Sequence, residues 1–428
     1  MSSTKLIHNI DWLTILIYFI LVFIGWLNIY STTITDQDSS IFNLNLPYGK
    51  QLLFIGLSSI IIVLVMSFEA KFYERFSSVI YLASMVLLVG LFLFGKNING
   101  ATSWYSFGGF GFQPSEFAKV ATALAVSKHL SDFQTNINDR KYQLQALIII
   151  VIPAILIIAQ PDPGSALVYS AFFFVMYREG LSLQYLIIGS LAIALFVGTL
   201  IFGVSWVIFG MFAILGLYYF LNSRSYKRAP IFTLIGIFAI SIAFSFSVQY
   251  IFDHVFEQRH RDRFSLWLRL EKDPLKLEEI RKTIGYNTHQ SETTIGSGGL
   301  MGKGFLEGTR TKGNFVPEQH SDYIFTTVGE EWGFVGTTTI VILFTILLIR
   351  LLFLAERQKS DFSRIYGYSV ASILFFHFAI NIGMVIGLLP TVGIPLPLFS
   401  YGGSGLWGFT ILIFIFLKLD ANRVNEWL

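Results

Sequence analysis

Asp273, followed by Pro274, is the side chain whose neighbours best suit it to act as a base. An Asp-Pro in a loop is most often only a turn. Here Arg259, Arg261 and Arg263 precede it, so a carboxylate that could take the proton of a sugar hydroxyl lies near guanidinium groups that could hold phosphate oxygens. A solvated helix face of alternating charge is the plainer alternative. Downstream lie Ile295-Gly296-Ser297-Gly298-Gly299-Leu300-Met301-Gly302-Lys303-Gly304 and Pro317-Glu318-Gln319-His320-Ser321-Asp322-Tyr323. The glycine run is not a Walker loop, because Ser297 and Gly304 stand where glycine and a hydroxyl residue are needed, nor a dinucleotide fingerprint, because Met301 replaces a glycine. What remains is a choice between an anion cradle of backbone N–H groups beside Lys303 and a flexible turn.

These residues belong to one water-facing stretch, 254–321, which holds 20 of the chain's 57 Asp, Glu, Lys and Arg residues and four of its seven histidines. The remainder must position it, and its composition says how. Of 428 residues 54% are hydrophobic and 13% charged, with mean hydropathy +0.63; this is a polytopic all-α membrane protein. A net charge of +3 gives no basis for nucleic-acid binding, and zero cysteines exclude disulfides, thiolate metal sites and a Cys nucleophile. With about 20 apolar residues needed per crossing, twelve candidate spans emerge. They lie near 12–30, 51–66, 76–94, 114–130, 144–159, 165–177, 185–202, 206–221, 231–251, 323–354, 368–389 and 396–417. The chain is expected to be one integral membrane domain, 1–428, with 254–321 as its large loop.

Lys71, Arg75, Arg140, Lys141, Arg178, Arg224, Lys227, Arg228, Arg350, Arg357, Lys359 and Arg364 all fall on one side if the N-terminus is cytoplasmic. Trp104, Asp162, Asp273 and the 390–405 segment then face outward. Glu116 and Lys119, three apart on one predicted helix, make either a structural ion pair or a polar cavity wall, the pair being the stronger reading. Asp162, between two prolines, suits a turn and helix cap. Glu330 and Glu331 are adjacent and cannot face the same way, so one is expected to position its helix.

Several stretches together carry a family resemblance: Gly100–Trp104, Gln113–Lys119, Gln160–Ser165, Ile295–Gly304, Pro317–Phe325 and Asn381–Ser404, the last holding Gly387-Leu388-Leu389-Pro390-Thr391-Val392-Gly393-Ile394-Pro395. In these the chain resembles the SEDS family of shape, elongation, division and sporulation proteins, with wording nearer its elongation branch. The resemblance implies a polyprenyl-linked glycosyltransferase of the bacterial cytoplasmic membrane. Such an enzyme polymerises lipid II into glycan strands at the outer face, beside a class B penicillin-binding transpeptidase and other elongation-complex membrane proteins. It maps the catalytic carboxylate onto Asp273, the loop tryptophan onto Trp104 and the cavity pair onto Glu116 and Lys119. Arg263, Lys303, Gln319 and His320 are the further substrate-binding candidates.

Two departures stand out. The family has about ten spans, so a hairpin within 185–221 is expected to be extra, and residues 275–284 are inserted between Asp273-Pro274 and Gly285-Tyr286, leaving Asp262 and Glu271 as fallback bases. A diphosphate leaves as a stabilised anion, so one base and cationic stabilisation suffice, without the paired carboxylates of glycoside hydrolysis. No cofactor is demanded, although Mg²⁺ or Mn²⁺ could be shared by carboxylates and a diphosphate. A lipid II flippase and a non-catalytic scaffold are the alternatives from other classes.

Overall fold

The computed structural model describes residues 9–34, 40–98, 100–107, 110–222, 230–256, 258–271, 273–283 and 285–423; Arg224, Lys227 and Arg228 lie outside them. Ten helices among these are long and apolar enough to cross a membrane. The chain divides into two compact units, residues 1–181 with 290–428, and residues 182–289.

In the first unit α1 (Trp12–Thr33), α2 (Pro47–Ser67) and α3 (Ala70–Phe94) lead into a small antiparallel ribbon. Its strands are β1 (Lys96–Ile98), β2 (Ala101–Phe107) and β3 (Phe110–Phe112), with Lys96 opposite Trp104 and Tyr105 opposite Phe112. Next come α4 (Pro114–Leu130), α5 (Arg140–Ile158), α6 (Pro163–Leu167), a 3₁₀ turn at Val168–Ala171 and α7 (Phe172–Arg178). Asp11 caps α1 by accepting from the amide of Thr14 at 3.0 Å. Pro47, Pro114 and Pro163 open their helices where a missing N–H costs nothing.

Two of the twelve expected spans do not qualify. The 165–177 segment, started by Pro163-Gly164, is broken into α6, the 3₁₀ turn and α7. Helix α4 has only 17 residues and is buried along nearly its whole length. Its Ala118, Ala121, Ala123 and Ala125 leave room for α3, α5 and two C-terminal helices to pack on it, as small residues do in membrane bundles.

The second unit holds α8 (Leu183–Phe202), α9 (Val204–Leu221) and α10 (Ile231–Tyr250), then a π turn at Ile251–Val255, α11 (Gln258–Trp267) and α12 (Pro274–Lys282). Helices α8 and α9 form a hairpin that turns at Gly203, whose φ of 79° suits glycine alone. Their side chains, among them Trp206, Phe209 and Phe212, are largely exposed, as lipid-facing residues must be. Phe264 gathers Phe196, Phe256 and Trp267 at centroid distances of 5.6, 5.9 and 6.1 Å, closing α11 onto this unit.

Helix α13 (Tyr286–Ser297) returns the chain to the first unit, followed by α14 (Thr309–Lys312), α15 (Ile324–Glu356), α16 (Asp361–Val385) and α17 (Gly403–Asn422). Helix α15 is two helices joined at Gly333 (φ 64°, ψ −159°). The longer part, 334–356, spans about 34 Å at 1.5 Å per residue. Far from the ribbon, the basic side chains of this unit form one end, linked by Arg178–Glu356 at 2.9 Å, Arg364–Glu179 at 3.0 Å and Lys128–Glu74 at 3.3 Å.

Candidate active site

The expected large loop is shared between the units. Arg263 and Asp273 belong to the second; Lys303, Gln319 and His320 join Trp104, Glu116 and Lys119 in the first.

Asp273 is exposed and caps α12, Oδ1 accepting from the amide of Leu275 at 3.0 Å. Its own amide donates to Glu271 Oε1 at 3.0 Å, so one fallback base braces the primary candidate. The other, Asp262, accepts from Gln258 Nε2 at 2.7 Å on α11. Arg263, half-buried on the same helix, lies on the element that packs against α12.

In the first unit Lys119 Nζ donates to Glu116 Oε1 at 2.8 Å and to His377 Nε2 at 2.7 Å, with all three side chains buried. Because an ammonium only donates, His377 Nε2 must accept, and Nδ1–H then faces the carbonyl of Pro395 at 3.3 Å. Four residues on, on the same face of α16, Asn381 donates to the carbonyls of Asp322 at 2.8 Å and Ile394 at 2.7 Å. The core ion pair is thereby tied to the loops above it. Glu116 Oε2 and the Tyr169 hydroxyl remain buried without partners.

Those loops hold an acidic cluster. Ser400 Oγ donates to the carbonyl of Ser321 at 2.7 Å, and the amide of Tyr401 to that of His320 at 2.9 Å. Asp162 takes the expected capping role, accepting from the Ser165 amide at 3.0 Å and the Gln113 side chain at 3.3 Å. Asp322 is half-buried near Gly393; burial, then the like charges of Glu318 and Asp162, push its carboxyl up to about 7. Burial lowers the His320 imidazole pKa, with Glu318 opposing. Trp104 is half-buried and covers Gly111, where an added Cβ would stand 2.9 Å from its ring.

The glycine run packs backbone against backbone: Lys303 and Gly304 donate to the carbonyls of Glu330 and Glu331 at 2.9 and 3.0 Å, Gly302 donates to that of Gly298 at 2.9 Å, and the Gly299 carbonyl accepts from Phe334 at 2.9 Å. A Cβ on Gly298, Gly302 or Gly333 would collide with facing backbone. The run is a splice around the break in α15. Lys303 Nζ pairs with the buried Glu330 at 2.6 Å, which also accepts from the amides of Arg310 at 2.9 Å and Thr311 at 2.8 Å. Gln319 donates to the Thr311 carbonyl at 2.9 Å. Glu331 instead accepts from Ser31 of α1, so both adjacent acids position structure.

Sequence reasoning missed His377 and Asn381 and quoted Asp322 without choosing it. An ionisable residue inside an apolar helix was the available signal for His377. Among the described residues no three His, Asp or Glu side chains converge as metal ligands.

A family model described as cell cycle protein, of the FtsW, RodA and SpoVE type, matches residues 11–226 and 205–425. The peptidoglycan glycosyltransferase RodA of Treponema pallidum (strain Nichols) is 31% identical, the alignment covering 98% of this chain and 99% of that protein. The peptidoglycan glycosyltransferase MrdB of Escherichia coli (strain K12) is 32% identical over 82% of this chain and 80% of its own. A solved chain, from work on the structural coordination of polymerization and crosslinking by a peptidoglycan synthase complex, matches with a TM-score of 0.70 at 25% identity, covering 97% of this chain and 99% of that one. With nearly its whole length matched by that model, the chain belongs to the FtsW/RodA/SpoVE family.

Proposed function

We propose that this protein polymerises lipid II into glycan strands at the outer face of a bacterial cytoplasmic membrane during elongation, together with a class B penicillin-binding transpeptidase. The observation that carries this reading is a full-length match to a relative named peptidoglycan glycosyltransferase. The basic end of the spans faces the cytoplasm, with the N-terminus, and the ribbon and the acidic cluster face outward.

In the reaction the 4-hydroxyl of one lipid-linked GlcNAc attacks the anomeric carbon of a MurNAc. The new C–O bond forms as the bond to undecaprenyl diphosphate breaks, and its electron pair leaves with the diphosphate. Asp273 accepts the hydroxyl proton; being exposed and bonded through one oxygen to a backbone amide, it keeps acceptor capacity for it. Arg263 stabilises the departing diphosphate. In the first unit, Trp104 and His320 are substrate-binding candidates in their own right. Lys119 and Lys303 already face Glu116 and Glu330, so they order the core and the loop instead.

A second reading rests on Asp322, whose carboxyl is pushed up to about 7, near the operating pH that suits a general base. The test is glycan polymerisation from lipid II by the purified pair with crosslinking blocked. Loss in Asp273→Asn with activity kept in Asp322→Asn supports the first assignment; the reverse selects the second. Transfer of lipid II between leaflets without polymer would instead select a flippase.

A further inference from the structure

The glycine-rich turn after α13 carries two bare apolar side chains, Leu300 at 72% exposed and Met301 at 79%. They are not isolated. The Gly299 and Leu300 carbonyls accept from the amides of Phe334 and Val335 at 2.9 and 3.1 Å, which fastens the turn to the first residues of the longer part of α15. Phe334 and Val335 are themselves 64% and 51% exposed. Beside them Trp332 lies against Phe305, ring centroids 5.9 Å apart, and both rings are partly exposed. Single exposed apolar residues need no explanation, but these join into one patch, and such a patch marks an interaction surface.

Three observations say what covers it. The first is depth. Helix α15 ends among the ion pairs of the basic end, where Glu356 meets Arg178 at 2.9 Å. From there residues 334–356 rise about 34 Å at 1.5 Å per residue, against a hydrocarbon layer about 30 Å thick, so Phe334 and Val335 stand at the far edge of that layer and the turn bonded to them stands level with it. The second is continuity. Val335, Ile342, Ile346, Ile349 and Phe353 are all exposed and recur at heptad-like spacing, so one lipid-facing stripe of the span runs up to the turn. The third is the backbone. An irregular segment is tolerated at membrane depth only where its polar groups are already paired, and the carbonyls of Gly298, Gly299 and Leu300 accept from Gly302, Phe334 and Val335. Lys303, the sole charged residue of 295–304, holds its ammonium against Glu330 at 2.6 Å and Thr309 at 2.8 Å.

We propose that this turn is a lipid wedge: Leu300 and Met301 continue the stripe of α15 into the acyl chains of the leaflet at the ribbon end, with Trp332 and Phe305 at headgroup level. Part of the 254–321 stretch is therefore bathed in lipid and not in water. The same turn holds Glu330 through Lys303, and Glu330 fixes the amides of Arg310 and Thr311, so the wedge sets the height of that loop above the membrane.

The absence of cysteine from the chain allows a single reporter. Met301→Cys carrying a nitroxide is reconstituted as the full chain in vesicles of phosphatidylcholine and phosphatidylglycerol. Its collision rates with oxygen, which concentrates in lipid, and with a water-soluble nickel chelate are compared with those of labels at Ile346→Cys, within the span, and Lys312→Cys, exposed on α14. The expected result is nickel collision about tenfold below that at Lys312, the cost of bringing a polar reagent into hydrocarbon being at least that large, with oxygen collision near that at Ile346. Nickel collision equal to that at Lys312 overturns the proposal. So does a label open to nickel in the chain alone and shielded only once the transpeptidase is added, because the patch is then a protein interface. Thermal unfolding of the labelled chains checks the fold; should Met301→Cys not fold, Leu300→Cys is read by the same criteria.

Discussion

Asp322 and Asp273 are both carboxylates outside the spans, yet they are held in opposite ways. Around Asp322 the backbone is fixed from several sides: Asn381 holds its carbonyl, Ser400 holds that of Ser321, and Tyr401 holds that of His320. That lattice continues down α16 to the buried Glu116, Lys119 and His377. Asp273 has one bond to a helix amide and a neighbour, Glu271, that braces its own. A rigid, half-buried acid acquires a shifted pKa; an exposed acid at a helix cap keeps an oxygen open to an incoming group. Accessibility and rigidity are thus divided between the two carboxylates.

The largest effect expected is at Asp273. Asp273→Asn keeps one acceptor for the Leu275 amide, so folding should be unaltered, while polymerisation falls by about 10²–10⁴-fold, the usual contribution of a general base. An equal loss in stability, read by thermal unfolding, would reduce Asp273 to a capping residue. Gly333→Ala tests the rigid side: its φ of 64° and the facing Gly302 backbone leave no room for a Cβ, and stability should drop by roughly 3 kcal/mol.

His377→Ala should cost about 2–3 kcal/mol, because Lys119 then stays buried with Glu116 as its remaining hydrogen-bond partner. His377→Gln, which can still accept from Lys119, should recover part of it. The smallest effect concerns pH. The folded pKa of Asp322, about 7, lies above its ordinary 3.8, so the folded state favours the protonated acid. Its stabilisation is complete below pH 4 and is lost as pH rises through 7. Asp322→Asn should therefore flatten the unfolding profile between pH 4 and 7 and exceed the wild type in stability above it.

How much of this was legible in the sequence differs between the two regions. The long apolar helices were, because roughly 20 apolar residues are their own signal. The 165–177 segment was misjudged because hydropathy does not register the 3₁₀ turn at Val168–Ala171 that divides it. The glycine run was ambiguous in principle: small residues suit an approaching anion or an approaching backbone equally, and the partner, 329–333, lies some thirty residues on. His377 stood out only as an ionisable residue inside an apolar helix; its partner could not be read locally, since Lys119 is 258 positions away. For Asp273 the sequence offered a base or a turn, and the cap it makes at the start of α12 depends on a helix that the Asp-Pro pair alone does not announce.

The most direct test is lipid II polymerisation by the chain purified with its transpeptidase partner, crosslinking blocked, comparing wild type, Asp273→Asn and Asp322→Asn at pH 7. Polymer absent only in Asp273→Asn is the predicted outcome. Wild-type polymer from Asp273→Asn would contradict the assignment of the catalytic base.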